Sequence, residues 1–209
     1  MIYTLWLWKN NPVANAAYAR ISAEDQKAQD LIFSAEAMER YGATWVLYCS
    51  SAWANEEYRN WGICTYKSIE DRINHTREIE KAGWYRYADM VSFLGTLATD
   101  EPSLPGYPNP IFQLWMTRNH AITTANYARL SKEEEAAMWA AHEASEKRTG
   151  AHMVLYCKSA WANEEYNGFG VTAFPNIEAC QQNRDDLEAL NWSLYFNSFS
   201  ILGIVEPAA

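Results

Sequence analysis

The sequence predicts an α+β fold in which one β-α-β-β-α-β unit is built twice in tandem. Three observations carry this. First, the phrase YCSSAWANEEY at 48–58 returns as YCKSAWANEEY at 156–166, with Ser50 against Lys158 as the single difference. Second, the flanking segments repeat with it. LWLWKNNPVANAAYARIS (5–22) lines up with LWMTRNHAITTANYARLS (114–131), WGICTYKSIE (61–70) with FGVTAFPNIE (169–178), and GWYRYADMVSFLGT (83–96) with NWSLYFNSFSILGI (191–204). Third, DEPSLPGYPNP (100–110) stands between the copies, and its four prolines and one glycine make a stiff linker rather than an element. The expected organisation is a first repeat over 1–99, a linker over 100–110 and a second repeat over 111–209.

Each element of the first copy follows from its residues. IYTLWLWK, rich in aromatic and branched side chains, reads as a strand. SAEDQKAQDLIFSAEAMERYG reads as one helix, with Ser22 as N-cap, acids in the first turn and Gly42 as C-terminal cap. TWVLYCSSAW is a second strand, NEEYRN a polar turn and WGICTY a third strand. SIEDRINHTREIEKAGW starts at a Ser cap, spaces Ile69, Ile73 and Ile79 helically and stops near Gly83. MVSFLGTLA is the last strand. The second copy has the same order, with Ser131 and Asn176 as caps. The offset between copies is 109 residues at the start and 108 later, so one residue is lost near the first helix.

This order is the split βαβ, or ferredoxin-like, unit, which packs two helices on one face of a four-stranded sheet. Strand alternation divides the first strand into Tyr3, Leu5, Leu7 and Thr4, Trp6, Trp8. It divides the strand of the second copy into Phe112, Leu114, Met116 and Gln113, Trp115, Thr117. The all-apolar sets are expected to meet the helices, together with Val91 and Phe93. The mixed sets, with Ser92 and Leu94 and with Ser200 and Leu202, are expected on the bare face. A bare face carrying Trp6, Trp8 and Trp115 needs a cover, and two such faces in one chain can cover each other.

At this point the chain resembles the dimeric α/β-barrel superfamily, as a tandem-duplicated member of an uncharacterised family within it. The resemblance spans nearly the whole chain and rests on topology and duplication. It implies two ferredoxin-like repeats packed sheet to sheet as an intrachain barrel, either a monomeric pseudo-dimer or a homodimer. The superfamily includes cofactor-independent monooxygenases, haem-degrading and haem-binding proteins and polyketide cyclases, so fold alone does not select a function.

Composition narrows the partners. The formal net charge is −9, which repels nucleic-acid phosphates. NGFGVTAF (167–174) imitates an RNA-binding strand motif but lacks its leading basic residue and has Val171 at a stacking position. No apolar run is long enough to span a bilayer, and Met1 leads directly into a strand with no secretory signal. Cys49, Cys64, Cys157 and Cys180 show no paired spacing, which fits a reducing cytoplasm and buried thiols. Ten Trp and thirteen Tyr must pack in the core or line a site.

Several groups are candidates for chemistry. The repeated hairpin SAWANEEY is expected to be structural: Trp53 and Trp161 anchor the strand end, Asn55 and Asn163 shape the turn, and the glutamates are solvated. Its alternative is a pair of acidic loops gripping a cation, but carboxylates without His nearby are a weak metal signal and no metal is expected. Cys49 and Cys157 have no repeated His as base and are expected as packing residues. The haem-degrading relatives use an Asn, a Trp and a helix-borne His. Asn10, Tyr66 and His75 imitate them in the first copy, while the second has Asn119, Phe174 and Asn183.

The expected ligand-binding residues are Thr4, Trp6, Trp8, Tyr48, Gln113 and Trp115, lining an aromatic interior with few polar groups, as small-molecule sites do. His152, Tyr156 and Lys158 share one strand face by the two-residue period and are the candidate catalytic group, with His152 as base, Lys158 stabilising an enolate or phenolate and Tyr156 orienting it. The first copy has Thr44, Tyr48 and Ser50 there. The resulting expectation is a small-molecule-binding protein for an apolar or aromatic ligand, with a cofactor-independent monooxygenase-like activity as its catalytic version. The alternatives are a filled structural or interaction barrel and a haem-binding or haem-degrading protein. No cofactor is expected from the residues themselves, and haem is the one the resemblance admits.

Overall fold

The computed structural model describes residues 1–205. The chain divides into two compact units, Met1–Thr96 and Leu97–Ile204. In the first, the order is β1 (Ile2–Lys9), α1 (Pro12–Tyr18), α2 (Ala23–Asp30), a 3₁₀ turn (Leu31–Phe33), α3 (Ala35–Arg40), β2 (Ala43–Ser50), β3 (Tyr58–Tyr66), α4 (Ile69–Lys81) and β4 (Met90–Leu97). The second has β5 (Ile111–Arg118), α5 (Ala121–Tyr127), α6 (Lys132–Thr149), β6 (His152–Lys158), β7 (Tyr166–Phe174), α7 (Ile177–Ala189) and β8 (Asn197–Val205). Strands pair antiparallel in the order β4-β1-β3-β2 in the first unit and β8-β5-β7-β6 in the second. Both sheets are the expected ferredoxin-like arrangement. Among the described residues, no helix is long and apolar enough to cross a membrane.

Two helices were not expected. α1 opens at Asn11, whose side chain accepts from the Val13 and Ala14 backbones, with Pro12 in the first turn. That Asn-Pro pair is the signal for a helix start. α5 is its repeat.

The single helix expected over 22–42 is broken. Ser34 ends the first stretch and caps a new helix by accepting from the Ala37 backbone. Its counterpart α6 runs unbroken for 18 residues behind a Ser131–Glu134 capping box. The break falls in the copy that is one residue longer, because an extra residue cannot be carried in an α-helix without rotating everything after it by about 100°.

α4 also sits differently from its periodicity. Ile69 and Ile73 are 40% and 44% exposed, and Arg72, His75 and Ile79 are buried. Arg72 and His75 win the inner face because each finds aromatic and hydrogen-bonding partners there.

The assignment of strand faces is reversed. Trp6 packs with Met38 of α3 and Ile79 of α4, and the Arg72 guanidinium of α4 lies 4.3 Å over its ring. The set Thr4, Trp6, Trp8 is therefore the helix side, with Ser92 and Leu94 opposite it across the ladder. Tyr3, Leu5 and Leu7, at 2%, 0% and 1% exposure, lie on the other face. The second unit repeats this register position by position, and crossovers of one hand put its helices on the corresponding side. Gln113, Trp115 and Thr117 are thus the helix side there, and Phe112, Leu114 and Met116 are not. Alternation identifies two sets correctly, but both carry apolar side chains, and hydropathy alone cannot tell which face meets which layer.

Candidate functional site

A bulge separates the expected catalytic group. In β6, Met153 stands opposite Thr172 but Leu155 stands opposite Val171, so Val154 is the extra residue. His152 then faces Ala173 while Tyr156 faces Gly170, which belong to opposite faces of β7. His152 Nε2 is held by the hydroxyl and carbonyl of Ser103 at 2.9 and 3.0 Å. The segment leading out of β4 runs along this strand, with the Ala98 and Ser103 backbones donating to Tyr156 and Val154. Lys158 is exposed. Tyr156 lies on the helix side, and burial raises its pKa and keeps it a neutral phenol. The three residues are not brought together.

Cross-strand partners show what the helix side of each sheet carries, because directly opposed residues share a face. In the first unit the rows are Met90–Trp8–Asn60–Ser50, Ser92–Trp6–Gly62–Tyr48 and Leu94–Thr4–Cys64–Trp45. The space above them is full. Trp8 contacts Trp6, Phe33, Trp45 and Tyr48 with ring centroids 5.5–6.4 Å apart. Phe33, delivered by the broken helix, sits 5.1 Å from Trp84 and 6.4 Å from Trp6.

His75 closes this layer. Its Nδ1 meets the Tyr66 hydroxyl at 2.8 Å and its Nε2 the Ile32 carbonyl at 3.2 Å, and Tyr41 stacks on its ring at 4.9 Å. The carbonyl must accept, so Nε2 carries the proton and Nδ1 accepts from the phenol. Burial lowers the His75 pKa, with the Arg72 charge acting in the same direction.

In the second unit the rows are Ser198–Thr117–Gly168–Lys158, Ser200–Trp115–Gly170–Tyr156 and Leu202–Gln113–Thr172–Met153. The bulky first row is replaced by small and polar residues, and Met153 replaces Trp45. Consequently Trp115 is partly exposed where Trp6 is 1% exposed, and Ser198 and Ser200 are open to solvent. Trp115 and Tyr156 stack on each other, 5.4 Å apart and 27° from parallel. They lie down on two glycines. A Cβ on Gly170 would stand 2.3 Å from the Trp115 ring, and one on Gly168 would stand 2.7 Å from Tyr156. Trp115 Nε1 donates to Thr172 Oγ1 at 3.1 Å, which fixes the indole.

A second aromatic cluster is built from α6 and the segment before β8. Trp192 stacks on His142 of α6 at 4.8 Å and on Phe196 at 4.3 Å. A cleft of about 330 Å³ lies against this cluster, lined by His120, Asn126, Arg184, Trp192, Phe196 and Ser198 among others, and Trp115 and Tyr156 are not part of its lining.

The residues expected to bind ligand thus fall into two classes. Thr4, Trp6, Trp8 and Tyr48 line a packed core. Gln113 and Trp115 lie with Tyr156 on the more open face of the second unit. Gly168 and Gly170 were missed, although glycine inside a strand is a signal for close approach of another group.

The repeated hairpins are built alike. Asn55 Oδ1 accepts from the Glu57 and Tyr58 backbones, and Asn163 Oδ1 from those of Glu165 and Tyr166. The fully buried Ser51 and Ser159 hydroxyls donate to the Tyr58 and Tyr166 carbonyls. The expected anchors do not anchor: Trp53 and Trp161 are 49% and 50% exposed. All four cysteines are free and buried. Among the described residues, no group of three or more His, Cys, Asp or Glu could hold a metal ion.

Similarity to known proteins bears on the fold. No protein-family profile matches the chain, and no curated protein does. Solved structures do. A variant of chlorite dismutase from Candidatus Nitrospira defluvii superposes with a TM-score of 0.74 at 8% identity, covering 99% of this chain and 91% of that one. The same enzyme in complex with imidazole gives 0.74 at 9% identity, with 99% and 91% covered. A haem-binding protein from Thermus thermophilus gives 0.67 at 10% identity, again covering 99% and 91%. The chain has the dimeric α/β-barrel fold. Each of its two units carries the ferredoxin-like sheet that the internal repetition leads one to expect.

Proposed function

We propose that this dimeric α/β-barrel protein binds a planar apolar or aromatic small molecule on the helix side of its second unit, flat against Trp115 and Tyr156. One observation carries the reading. The row that is Met90–Trp8–Asn60–Ser50 in the first unit is Ser198–Thr117–Gly168–Lys158 in the second, which uncovers a glycine-backed aromatic floor. Stacked rings of this kind add about 0.5–1.5 kcal/mol per pair beyond area burial. Thr117, Ser198, Ser200 and Lys158 supply a polar rim that would orient the ligand.

Haem is the member of this ligand class that the solved neighbours favour, over the monooxygenase-like reading. The first unit does not fit it, because both nitrogens of His75 are engaged and the layer is filled with indole rings. The second unit has Asn183 in the place of His75, and its Nδ2 donates to Ser145. It offers a flat floor and one histidine of the helix layer, His142. That residue stands at the place of Phe33 in the repeat, and its Nδ1 lies 3.7 Å from Glu146. His142 is the helix-layer residue that would hold the haem iron. Bound there, it would supply iron-centred redox chemistry, while the chain's own part is to stack the ring and orient it.

Absorbance and tryptophan-fluorescence titrations with hemin and with metal-free protoporphyrin test this. Both porphyrins are expected to quench fluorescence saturably, and Trp115→Ala should weaken both by roughly tenfold. His142→Ala should alter the hemin spectrum and leave protoporphyrin binding unchanged. Absence of saturable binding by either porphyrin, or equal affinity in Trp115→Ala, overturns the assignment of this face.

A further inference from the structure

The first unit carries a charge with no counter-charge. Arg72 is 7% exposed. Its guanidinium lies over Trp6 at 4.3 Å and near the Tyr66 ring at 5.7 Å. Nη2 donates to the Ser92 hydroxyl at 3.2 Å. Nε is buried and has no hydrogen-bond partner, and no carboxylate among the described residues pairs with this side chain. An arginine cannot escape by giving up its proton, so the site keeps its positive charge at every physiological pH.

The neighbours able to ionise do not neutralise it. Burial pushes the Cys64 thiol up to about 11, in spite of a lowering effect from Arg72. The Tyr66 phenol is raised far above its ordinary value, chiefly by burial. Tyr85 is likewise raised by burial, with Arg72 opposing. His75 is kept from protonating by burial and then by the same cation. All four are neutral near pH 7. The indole faces offset part of the desolvation, but they leave the Nε–H without an acceptor. A second orphan donor, Trp84 Nε1, packs against the same cluster.

We propose that Arg72 is the anchor of a small-carboxylate site on the helix side of the first unit, entered beside Ser92 and Tyr85. Ser92, which accepts from Nη2, and Tyr85 are both exposed, and a carboxylate would enter past them by displacing the Tyr85 side chain. A planar carboxylate matches the fork that an arginine presents, with one oxygen on Nε–H and the other on an adjacent Nη–H. The second unit has no such site, because Cys180 occupies the position of Arg72 in the repeat.

The test uses the whole protein at fixed ionic strength, with formate, inorganic phosphate or chloride as the varied anion. The Nε–H resonance of Arg72 in a ¹⁵N–¹H spectrum, assigned by its loss in Arg72→Lys, should shift saturably with formate. At about a hundred times the dissociation constant, formate should raise the unfolding midpoint by roughly 5–10 °C over chloride. Arg72→Met should lose that dependence, and Ser92→Ala, which keeps the cation, should retain it. A response to phosphate in place of formate overturns the carboxylate assignment. An unmoved resonance, or equal formate dependence in Arg72→Met, overturns the site.

Discussion

Replacing Gly170 by alanine puts a methyl group where an indole already lies. The added Cβ would stand 2.3, 2.7 and 2.8 Å from Cζ2, Cη2 and Cε2 of Trp115, well inside contact distance. The obstacle is the body of a rigid ring, so the whole side chain must lift off the sheet. Lifting it breaks the Trp115–Thr172 hydrogen bond of 3.1 Å, a loss of about 1 kcal/mol. It also breaks the stack on Tyr156 at 5.4 Å, a further loss of about 0.5–1.5 kcal/mol. Together with residual overpacking, the expected cost is about 2–3 kcal/mol. For a chain of 209 residues this lowers the unfolding midpoint by roughly 4–12 °C. Thermal denaturation followed by circular dichroism measures it, and tryptophan emission of the folded variant should shift to the red as the ring meets water. Gly106→Ala is the control, since nothing lies within 4 Å of a Cβ there. If Gly170→Ala and Gly106→Ala melt together, Trp115 does not rest on Gly170, and the flat floor inferred for the second unit does not exist. If the floor is real, the variant that melts early also loses porphyrin affinity.

Two further predictions concern parts of the fold that do not touch this floor. His75 is held neutral by burial, so its folded-state pKa lies below the unfolded value of about 6.5. The unfolded chain then takes up its proton first, and the contribution of His75 to stability is full above about pH 6.5 and falls as pH drops towards the folded-state pKa. Urea midpoints between about pH 7.5 and 5 should show this slope, and His75→Asn, which copies Asn183 of the second unit, should flatten it. An unchanged slope would mean that other groups govern the acid side. In the hairpins, Asn163→Ala removes the acceptor of two backbone N–H groups, which should cost about 1–2 kcal/mol in a denaturant melt. A melt unchanged within error would show that the turn holds its shape without that side chain.

Topology was legible in the sequence because it is written in local terms. Aromatic and branched runs make β1 and β5, serine and asparagine caps start the helices, and the duplicated YCSSAWANEEY phrase shows that one unit was used twice. The structure of the hairpins was half legible. Asn55 and Asn163 shape the turn as their chemistry requires, but Trp53 and Trp161 point outwards, since a strand end offers a ring no pocket unless another element supplies one.

What only the tertiary structure decided is which side of each buried strand carries the chemistry. Alternation separates Tyr3, Leu5, Leu7 from Thr4, Trp6, Trp8, but assigning either set to the helices depends on what packs there, and here Arg72, Met38 and Ile79 take the Trp6 side. A single bulge at Val154 then undid the grouping of His152 with Tyr156 and Lys158, because one extra residue exchanges the two faces of a strand and costs almost nothing locally. The contrast between the filled first unit and the open second one arises in the same way. Phe33 closes the first layer only because the helix breaks at Ser34 and delivers it over Trp6. Trp115 stays partly open because Thr117, Gly168 and Ser198 come from three separate strands, and their common smallness at one spot exists only once those strands are in register.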